Sequence, residues 1–429
     1  MVYRKALTWL IPAILFAQCT EAEVAPCGSG HPEAPNVVLI MVDDLGQECL
    51  ETYGGSSYST PNLNRLASQG LQFENAYATY NCHTTRAQIM TGQYPFRNGW
   101  LQFYQDGKCF DSSGLNLGRM FKNAGYATGI FGKWQLCEPQ VDATNVVDCG
   151  FDESYMWSWK IDGQSTSRYW QPVLWEGADI KPSPNSDDYG LDMFLRRGKE
   201  FISAHCEEPF FLYWPMALVH SPFTTTPEQG PAEPGFDEEI AFPFMIEYMD
   251  KLVGELMDYL ESSGLASNTV VIFTGDNGTD ARIFSFANGR MVQGGKNEML
   301  ETGVNVPLIV RWPLRVAPNT VTDELMDFID ILPTLAEIAG YQIPSSAGLQ
   351  GTSFSSILNG GIGNRNWIYS QYNAKWAVRD KRWKLTNKNN LYDLMEDPFE
   401  ENPISQNQDN GESAGRRIIL QGYYDDLVN

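Results

Sequence analysis

The run Asn36-Val37-Val38-Leu39-Ile40-Met41-Val42 (NVVLIMV), followed at once by Asp43-Asp44, decides the fold class. An unbroken apolar run of this length reads as a strand buried on both faces, which is the mark of a parallel sheet covered by helices. The same unit recurs along the chain. Tyr126 to Phe131 ends on Gly132-Lys133-Trp134, Phe210 to Pro215 leads to His220, and Thr269 to Thr274 ends on Asp276-Asn277-Gly278. A further strand is expected over Val306 to Trp312, with Lys296 ahead of it. Between these runs lie helices. Thr60-Pro61 supplies a cap and a Pro for the first turn of one that Gly70 closes, and Phe242 to Ser263 repeats apolar residues at helical spacing up to Gly264. The alternation predicts an α/β fold with a mostly parallel sheet between helices. Polar clusters just past successive strands are where open α/β sheets gather ligands. After Gly340 the pattern shifts: Trp367 to Leu385 and Leu391-Tyr392 read as short antiparallel strands of a small C-terminal β subdomain. The expected division is 33–345 for the catalytic domain and 346–429 for the subdomain, with the polar stretch 401–415 read as a mobile loop.

The chain has 429 residues, enough for one large unit or two domains. Its 53 Asp and Glu outnumber 30 Lys and Arg for a net charge of −23, which argues against nucleic acid as a partner. An anionic substrate would need its own local positive charge. Residues 1–22 read as an export signal: Arg4 and Lys5 precede an apolar stretch, Ala6 to Ala17, too short to span a bilayer. Cleavage is expected after Ala22, with Ala17 a second candidate, and Gln18 ahead of Cys19 argues against lipoprotein processing. The mature chain then lies outside the cytoplasm, in a periplasmic, extracellular or surface location, with no transmembrane segment. Export permits disulfides among the eight cysteines, and Cys137 and Cys149 bracket a loop that a bridge would staple. Connectivity is not fixed by spacing.

Asp43, Asp44, Asp276 and Asn277 offer hard oxygen ligands that suit Ca²⁺, or Mg²⁺, and not zinc. In an acidic chain such pairs also occur on solvated loops, so their weight comes from their neighbours. Those neighbours are Asn81-Cys82-His83-Thr84-Thr85-Arg86 and Met90-Thr91-Gly92. Together with VDDLG at 42–46, TPNLNRLASQG at 60–70, GYATGIFGKW at 125–134, HSPF at 220–223, TGDNG at 274–278, GGKNEMLETGVNVPLIVRWP at 294–313 and LYDLMEDPFE at 391–400, the chain resembles the type I, formylglycine-dependent sulfatases of the alkaline phosphatase superfamily. The likeness runs from about Asn36 to the C-terminus.

That resemblance implies an exported sulfuric ester hydrolase acting on a sulfated carbohydrate or a small aryl sulfate. It implies that a maturation enzyme oxidises Cys82 to formylglycine, whose hydrate attacks sulfur and later expels sulfate by collapsing to the aldehyde. Asp43, Asp44, Asp276, Asn277 and residue 82 would hold Ca²⁺, and Arg86 would steady the diol. Lys133 and Lys296 would grip sulfate oxygens, and His220 would protonate the leaving alcohol. Two departures stand out. Thr84 occupies the Pro or Ala position of the maturation signature, which puts processing of Cys82 in question. Gln135 replaces the His of the family's GKWHLG motif; it would hydrogen-bond substrate but is no base at neutral pH, and, since some sulfatase branches resemble this chain in carrying GKWQL, it is read as compatible with activity. His83 is read as structural, because successive helical residues do not share a face. Trp157, Trp159, Tyr169, Trp170 and Trp175 are either core or sugar-stacking walls, with core the safer reading. Two rival readings stay open: a phosphoester or phosphonate ester hydrolase of the same superfamily, and a non-catalytic sulfoglycan binder with unmodified Cys82.

Overall fold

In the computed structural model, which describes residues 34–102, 107–233 and 236–428, β1 (Asn36–Val42) is the hub of a ten-stranded sheet. The others are β2 (Leu71–Tyr77), β3 (Ala127–Gly132), β4 (Glu153–Trp157), β5 (Val173–Glu176), β6 (Asp179–Pro182), β7 (Phe210–Pro215), β8 (Thr269–Gly275), β9 (Leu308–Arg311) and β10 (Thr320–Asp327). Their order is β10-β2-β9-β8-β1-β7-β3-β4-β5-β6. β1 lies between two parallel partners, with Val37 opposite Val270 on one side and Phe211 on the other. Every residue of β1, β3, β7 and β8 is buried, which is why these strands are apolar runs without alternation. Only β9 and β5 run against the rest.

Helices cover both faces. α1 (Pro61–Ser68), α4 (Gly190–Ala204) and α5 (Phe242–Ser262) pack together on one side, while α2 (Cys82–Thr91), α3 (Leu117–Asn123) and α6 (Ile331–Ile338) pack on the other. α1 starts after Thr60 with Pro61 in its first turn and α5 is apolar along its inner face, as their sequences predict, but the Thr60 hydroxyl caps no helix amide and accepts instead from the Glu51 amide at 3.1 Å. α2 is unlike them: every side chain from Cys82 to Met90 is buried. A helix enclosed on all sides shows no amphipathic stripe, so its place in the chain is marked by its ends, the Asn81 cap and left-handed Gly92.

The C-terminal sheet holds β11 (Ile368–Tyr372), β12 (Lys375–Arg379), β13 (Trp383–Thr386) and β14 (Leu391–Asp393), antiparallel throughout and in chain order. α7 (Gly411–Val428) lies on β12 and β13 and stacks Tyr424 on Trp376 at 4.0 Å. Phe354, Ile357 and Leu358, between the two sheets in sequence, pack in the main core.

Two expectations need correction. The stretch 401–415 is not a free loop, because α7 begins within it and Arg417 ties back to Asp409 at 2.8 Å. Cys137 bonds to Cys109 and not to Cys149. The Phe110 amide donates to the Leu136 carbonyl at 2.8 Å and brings the first pair together, whereas Cys149 is a buried free thiol. Cys206 is also in a disulfide. The proposed export signal and its Cys19 lie outside the described residues.

Candidate active site

The sheet delivers side chains to one edge. β8, β1, β7 and β3 are neighbours, and the residues after them meet beyond their C-terminal ends. The Asp43 amide donates to the Leu218 carbonyl and the Val219 amide to the Asp43 carbonyl, both at 2.7 Å, which stitches the end of β1 to the loop carrying His220. The Asp276 amide donates to the Val42 carbonyl at 2.9 Å. Gly132 has φ +137°, and a Cβ there would meet the Pro215 carbonyl oxygen at 2.1 Å; glycine alone lets β3 close on β7 so that the Lys133 amide reaches that oxygen at 2.7 Å. Lys296 precedes its strand, yet arrives at the same edge because β9 is antiparallel. Cys82 and Arg86, one turn apart, enter from the N-terminal end of α2.

The charges there are paired while buried. Lys133 Nζ lies 2.5 Å from Asp43 Oδ2, Lys296 Nζ 2.5 Å from Asp44 Oδ2, and Arg86 Nη2 2.7 Å from Asp276 Oδ2. Arg86 Nη1 also donates to the Lys133 carbonyl at 2.9 Å, and Asn277 Nδ2 to Asp44 Oδ1 at 2.8 Å. His220 Nε2 is 3.7 Å from Asp44 Oδ2. Its Nδ1 faces the Ser221 carbonyl, so that nitrogen carries the proton of the neutral ring. Burial lowers His220 to about 4 despite Asp44 and Asp43. Burial opposes ionisation of Asp43, but Lys133, His220 and Arg86 together hold it well below the usual carboxylate range. Burial and the facing Asp43 push Asp276 up to about 7.

Asp43, Cys82 and Asp276 each point one donor atom into a space where all three lie within 4.8 Å of one another. Asp43 Oδ1 and Asn277 Oδ1 are buried and accept no hydrogen bond. Orphaned buried oxygens are costly, and here they belong to hard ligands that converge. A divalent cation would satisfy both atoms and relieve the repulsion between Asp43 and Asp276. The residues therefore fit Ca²⁺ or Mg²⁺.

Burial raises the Cys82 thiol to about 11 against the pull of Lys133, so an unmodified cysteine here stays protonated at neutral pH. His83 sets its ring edge-on to Trp159 with centroids 6.1 Å apart, and burial with Lys133 and Arg86 holds its basicity well below the ordinary histidine value. Its Nδ1 lies 3.6 Å from Cys82 Sγ, so the two successive residues do meet at the site. Thr84 donates to the Asn81 carbonyl at 2.8 Å inside a buried hydroxyl cluster with Thr79 and Thr85. Gln135 is buried in a left-handed conformation, φ +57°, and its Oε1 has no partner. Trp157, Trp159, Tyr169 and Trp175 are buried and Trp170 half-buried. Trp157 Nε1 donates to Thr166 at 2.8 Å and Trp170 Nε1 to the Thr225 carbonyl at 3.1 Å. The burial of four of the five favours the core reading over sugar-stacking walls.

One residue at the site escaped the reading of the sequence. Arg168 Nη1 lies 3.7 Å from Asp43 Oδ2, and its guanidinium sits 4.2 Å from the centre of the Trp157 ring. It follows no strand of the main sheet and belongs to no quoted motif. Its one sequence signal is a cation set among aromatics, in Ser167-Arg168-Tyr169-Trp170.

Comparison with known proteins bears on this geometry. The family described as Sulfatase matches residues 35–341, and that described as N-sulphoglucosamine sulphohydrolase, C-terminal, matches 294–415. A Bacteroides thetaiotaomicron N-acetylgalactosamine-6-O-sulfatase is 29% identical, with 92% of this chain and 94% of the relative covered. Human N-acetylgalactosamine-6-sulfatase is 30% identical over 80% of this chain and 69% of its own. A solved sulfatase, described under the metabolism of multiple glycosaminoglycans by Bacteroides thetaiotaomicron, superposes with a TM-score of 0.76 at 25% identity, covering 92% of this chain and 99% of the other. The chain belongs to the sulfatase family, the type I branch of the alkaline phosphatase superfamily, and is by that membership a sulfuric ester hydrolase.

Proposed function

We propose that this chain hydrolyses a sulfate ester of a carbohydrate, using formylglycine made from Cys82 and a bound Ca²⁺. The observation that carries the reading is the pair of unpartnered oxygens, Asp43 Oδ1 and Asn277 Oδ1, beside a buried Cys82 and three cationic side chains. The sugar part rests on the relatives, whose names specify N-acetylgalactosamine 6-sulfate.

The hydrated aldehyde would supply a nucleophile able to leave again by collapse, and the cation would lower its pKa and neutralise sulfate oxygens. Asp43, Asp44, Asp276 and Asn277 would hold that cation. Arg86, fixed by Asp276 and the Lys133 carbonyl, orients the side chain of residue 82 from one turn along α2. The start of α2 adds its own positive end to the same point. Lys133 and Lys296 lie on opposite carboxylates and bind sulfate oxygens as these gain charge. His220 holds its Nε2 toward the site by bonding Ser221 through Nδ1, and the charge of a bound sulfate ester raises that nitrogen's affinity for the proton it passes to the leaving alcohol. Gln135 is a neutral hydrogen-bonding group in this scheme.

Export is part of the proposal. It is supported by residues 1–22, by the Cys109–Cys137 disulfide and by the bonded state of Cys206. Among the described residues no helix is long and apolar enough to cross a membrane.

Mass spectrometry of the peptide containing residue 82, from protein made in its native host, tests the chemistry. The aldehyde or its hydrate is expected, and finding thiol alone would sink the mechanism. Turnover of a 6-sulfated N-acetylgalactosamine against an aryl sulfate and an aryl phosphate tests the substrate, with the sulfated sugar expected to be fastest.

A further inference from the structure

The cations of the site are unequally committed. Lys133 is spent on Asp43 at 2.5 Å, Lys296 on Asp44 at 2.5 Å, and Arg86 on Asp276 at 2.7 Å and on the Lys133 carbonyl. Arg168 stands apart. Its Nη1 is 3.7 Å from Asp43 Oδ2, beyond hydrogen-bond reach, and is buried without a hydrogen-bond partner. A buried guanidinium N–H with nothing to donate to is unusual, and beside a ligand site it marks the place of an absent acceptor.

The guanidinium is also held ready. One face rests on Trp157 at 4.2 Å, which leaves the planar edge with its N–H groups free to point. The backbone is fixed on the next residue: the Gly190 amide donates to the Tyr169 carbonyl at 2.8 Å, and a Cβ at Gly190 would meet the Arg168 carbonyl oxygen at 2.3 Å. Tyr169 Oη donates to the Ala217 carbonyl at 2.8 Å and touches the His220 carbonyl, so Arg168 is anchored to the loop that carries His220. An arginine with a stacked face, a rigid backbone and an unspent edge suits a tetrahedral oxyanion, whose oxygens match its paired N–H donors.

We propose that Arg168 is a substrate-binding residue that donates to a sulfate oxygen of the ester, a reading that rests on the sulfatase function proposed above. Lys133 and Lys296 must share their charge between carboxylate and sulfate. Arg168 also feels the charge of Asp43 but makes no hydrogen bond to it, so its Nη1–H is left for the sulfate, and it supplies recognition that the quoted motifs do not encode.

The test is calorimetric titration of inorganic sulfate into the full chain, loaded with Ca²⁺ and carrying Cys82→Ala so that no chemistry intervenes. Arg168→Met keeps a chain to cover Trp157 and removes every donor. Its sulfate affinity is expected to fall about ten- to hundredfold, the worth of a charge-assisted hydrogen bond. KM for a small aryl sulfate should rise in parallel when Arg168→Met is made with residue 82 intact. Unchanged sulfate affinity in Arg168→Met, whatever its melting temperature, would show that Arg168 only packs on Trp157 and would overturn the proposal. Should Arg168→Met fail to fold, Arg168→Lys decides the matter: it keeps the charge but loses the fork, so a weaker affinity supports the proposal and an equal one overturns it. If the parent binds no sulfate and the enzyme with residue 82 intact cleaves no sulfate ester, the sulfatase reading falls and takes the role of Arg168 with it.

Discussion

Two of the buried clusters of charge among the described residues differ in what they leave unsatisfied. At the seam between the main body and the C-terminal sheet, Arg379 pairs with Glu301 at 2.8 Å and Lys384 with Glu400 at 2.8 Å and Glu301 at 3.3 Å. Tyr77 Oη donates to Glu301 at 2.5 Å, the Glu301 amide to Glu400 at 2.6 Å, and the remaining Arg379 donors reach the carbonyls of Asp380 and Lys381. Each charged group there has its partner. At the sheet edge the carboxylates and cations also pair, yet Asp43 Oδ1, Asn277 Oδ1 and Arg168 Nη1 make no hydrogen bond. Burial and charge density are therefore shared by both places, and only the leftover atoms separate a joint from a site. A closed network fixes two parts of a fold, while an open one waits for a ligand.

That contrast can be broken by mutation. Cys82→Ala should reduce turnover at least about a thousandfold with little change in melting temperature, since a buried nucleophile is lost without breaking an ion pair. A normal melting curve with retained activity would remove residue 82 from the mechanism. Lys384→Met should do the reverse. It strands Glu400 inside the seam, while Glu301 keeps Arg379, and should cost about 3–5 kcal/mol in denaturant unfolding, with turnover per folded molecule near the parent's. A stable Lys384→Met protein would mean that the seam is not what joins the two parts.

The pH dependence of cation binding sharpens the difference further. Without a cation, Asp276 titrates at about 7 against 3.8 when unfolded. The native state thus binds the extra proton, and the stability of the cation-free protein falls as pH rises through that interval. Ca²⁺ needs the ionised carboxylate, so binding should release a proton, and affinity should climb up to about tenfold per pH unit below about pH 7 and then level. Calorimetry in buffers of different ionisation enthalpy reads both, and affinity flat from about pH 5 to about pH 7 would contradict it. The smallest effect concerns reach. With a net charge of −23, the protein should repel a polyanionic glycan, and moderate salt should raise kcat/KM on such a polymer while leaving a small aryl sulfate nearly unaffected. A rate on the polymer that fell steadily from the lowest salt would put the attraction at the surface.

Much of the framework was legible because the central strands are buried on both faces. Asn36–Val42 and Phe210–Pro215 have the limits their apolar runs suggest, and the polar residues after β1, β3, β7 and β8 converge because those strands are parallel neighbours. What failed to show was contact between segments far apart. The reversed direction of β9, which brings Lys296 round, leaves no trace in its composition. The Cys109–Cys137 bridge depends on a backbone bond between Phe110 and Leu136, and α7 is polar along most of its length because only Ser413, Arg417 and Leu420 are buried. Arg168 was hidden for the same reason: an arginine between aromatic residues gives no sign that its partner is Asp43, far back in the chain.

If Cys82 is oxidised as proposed, its seclusion sets an order of events in the life of the chain. Its side chain is 1% exposed, sealed under the first turn of a helix that is itself enclosed. A second enzyme would have no path to that sulfur once the sheet and its helices have closed. The proposed oxidation would then have to precede closure of the helix on the sheet, and maturation and folding would compete for the same interval. On that reading, a molecule that folded too soon would be well formed and inert.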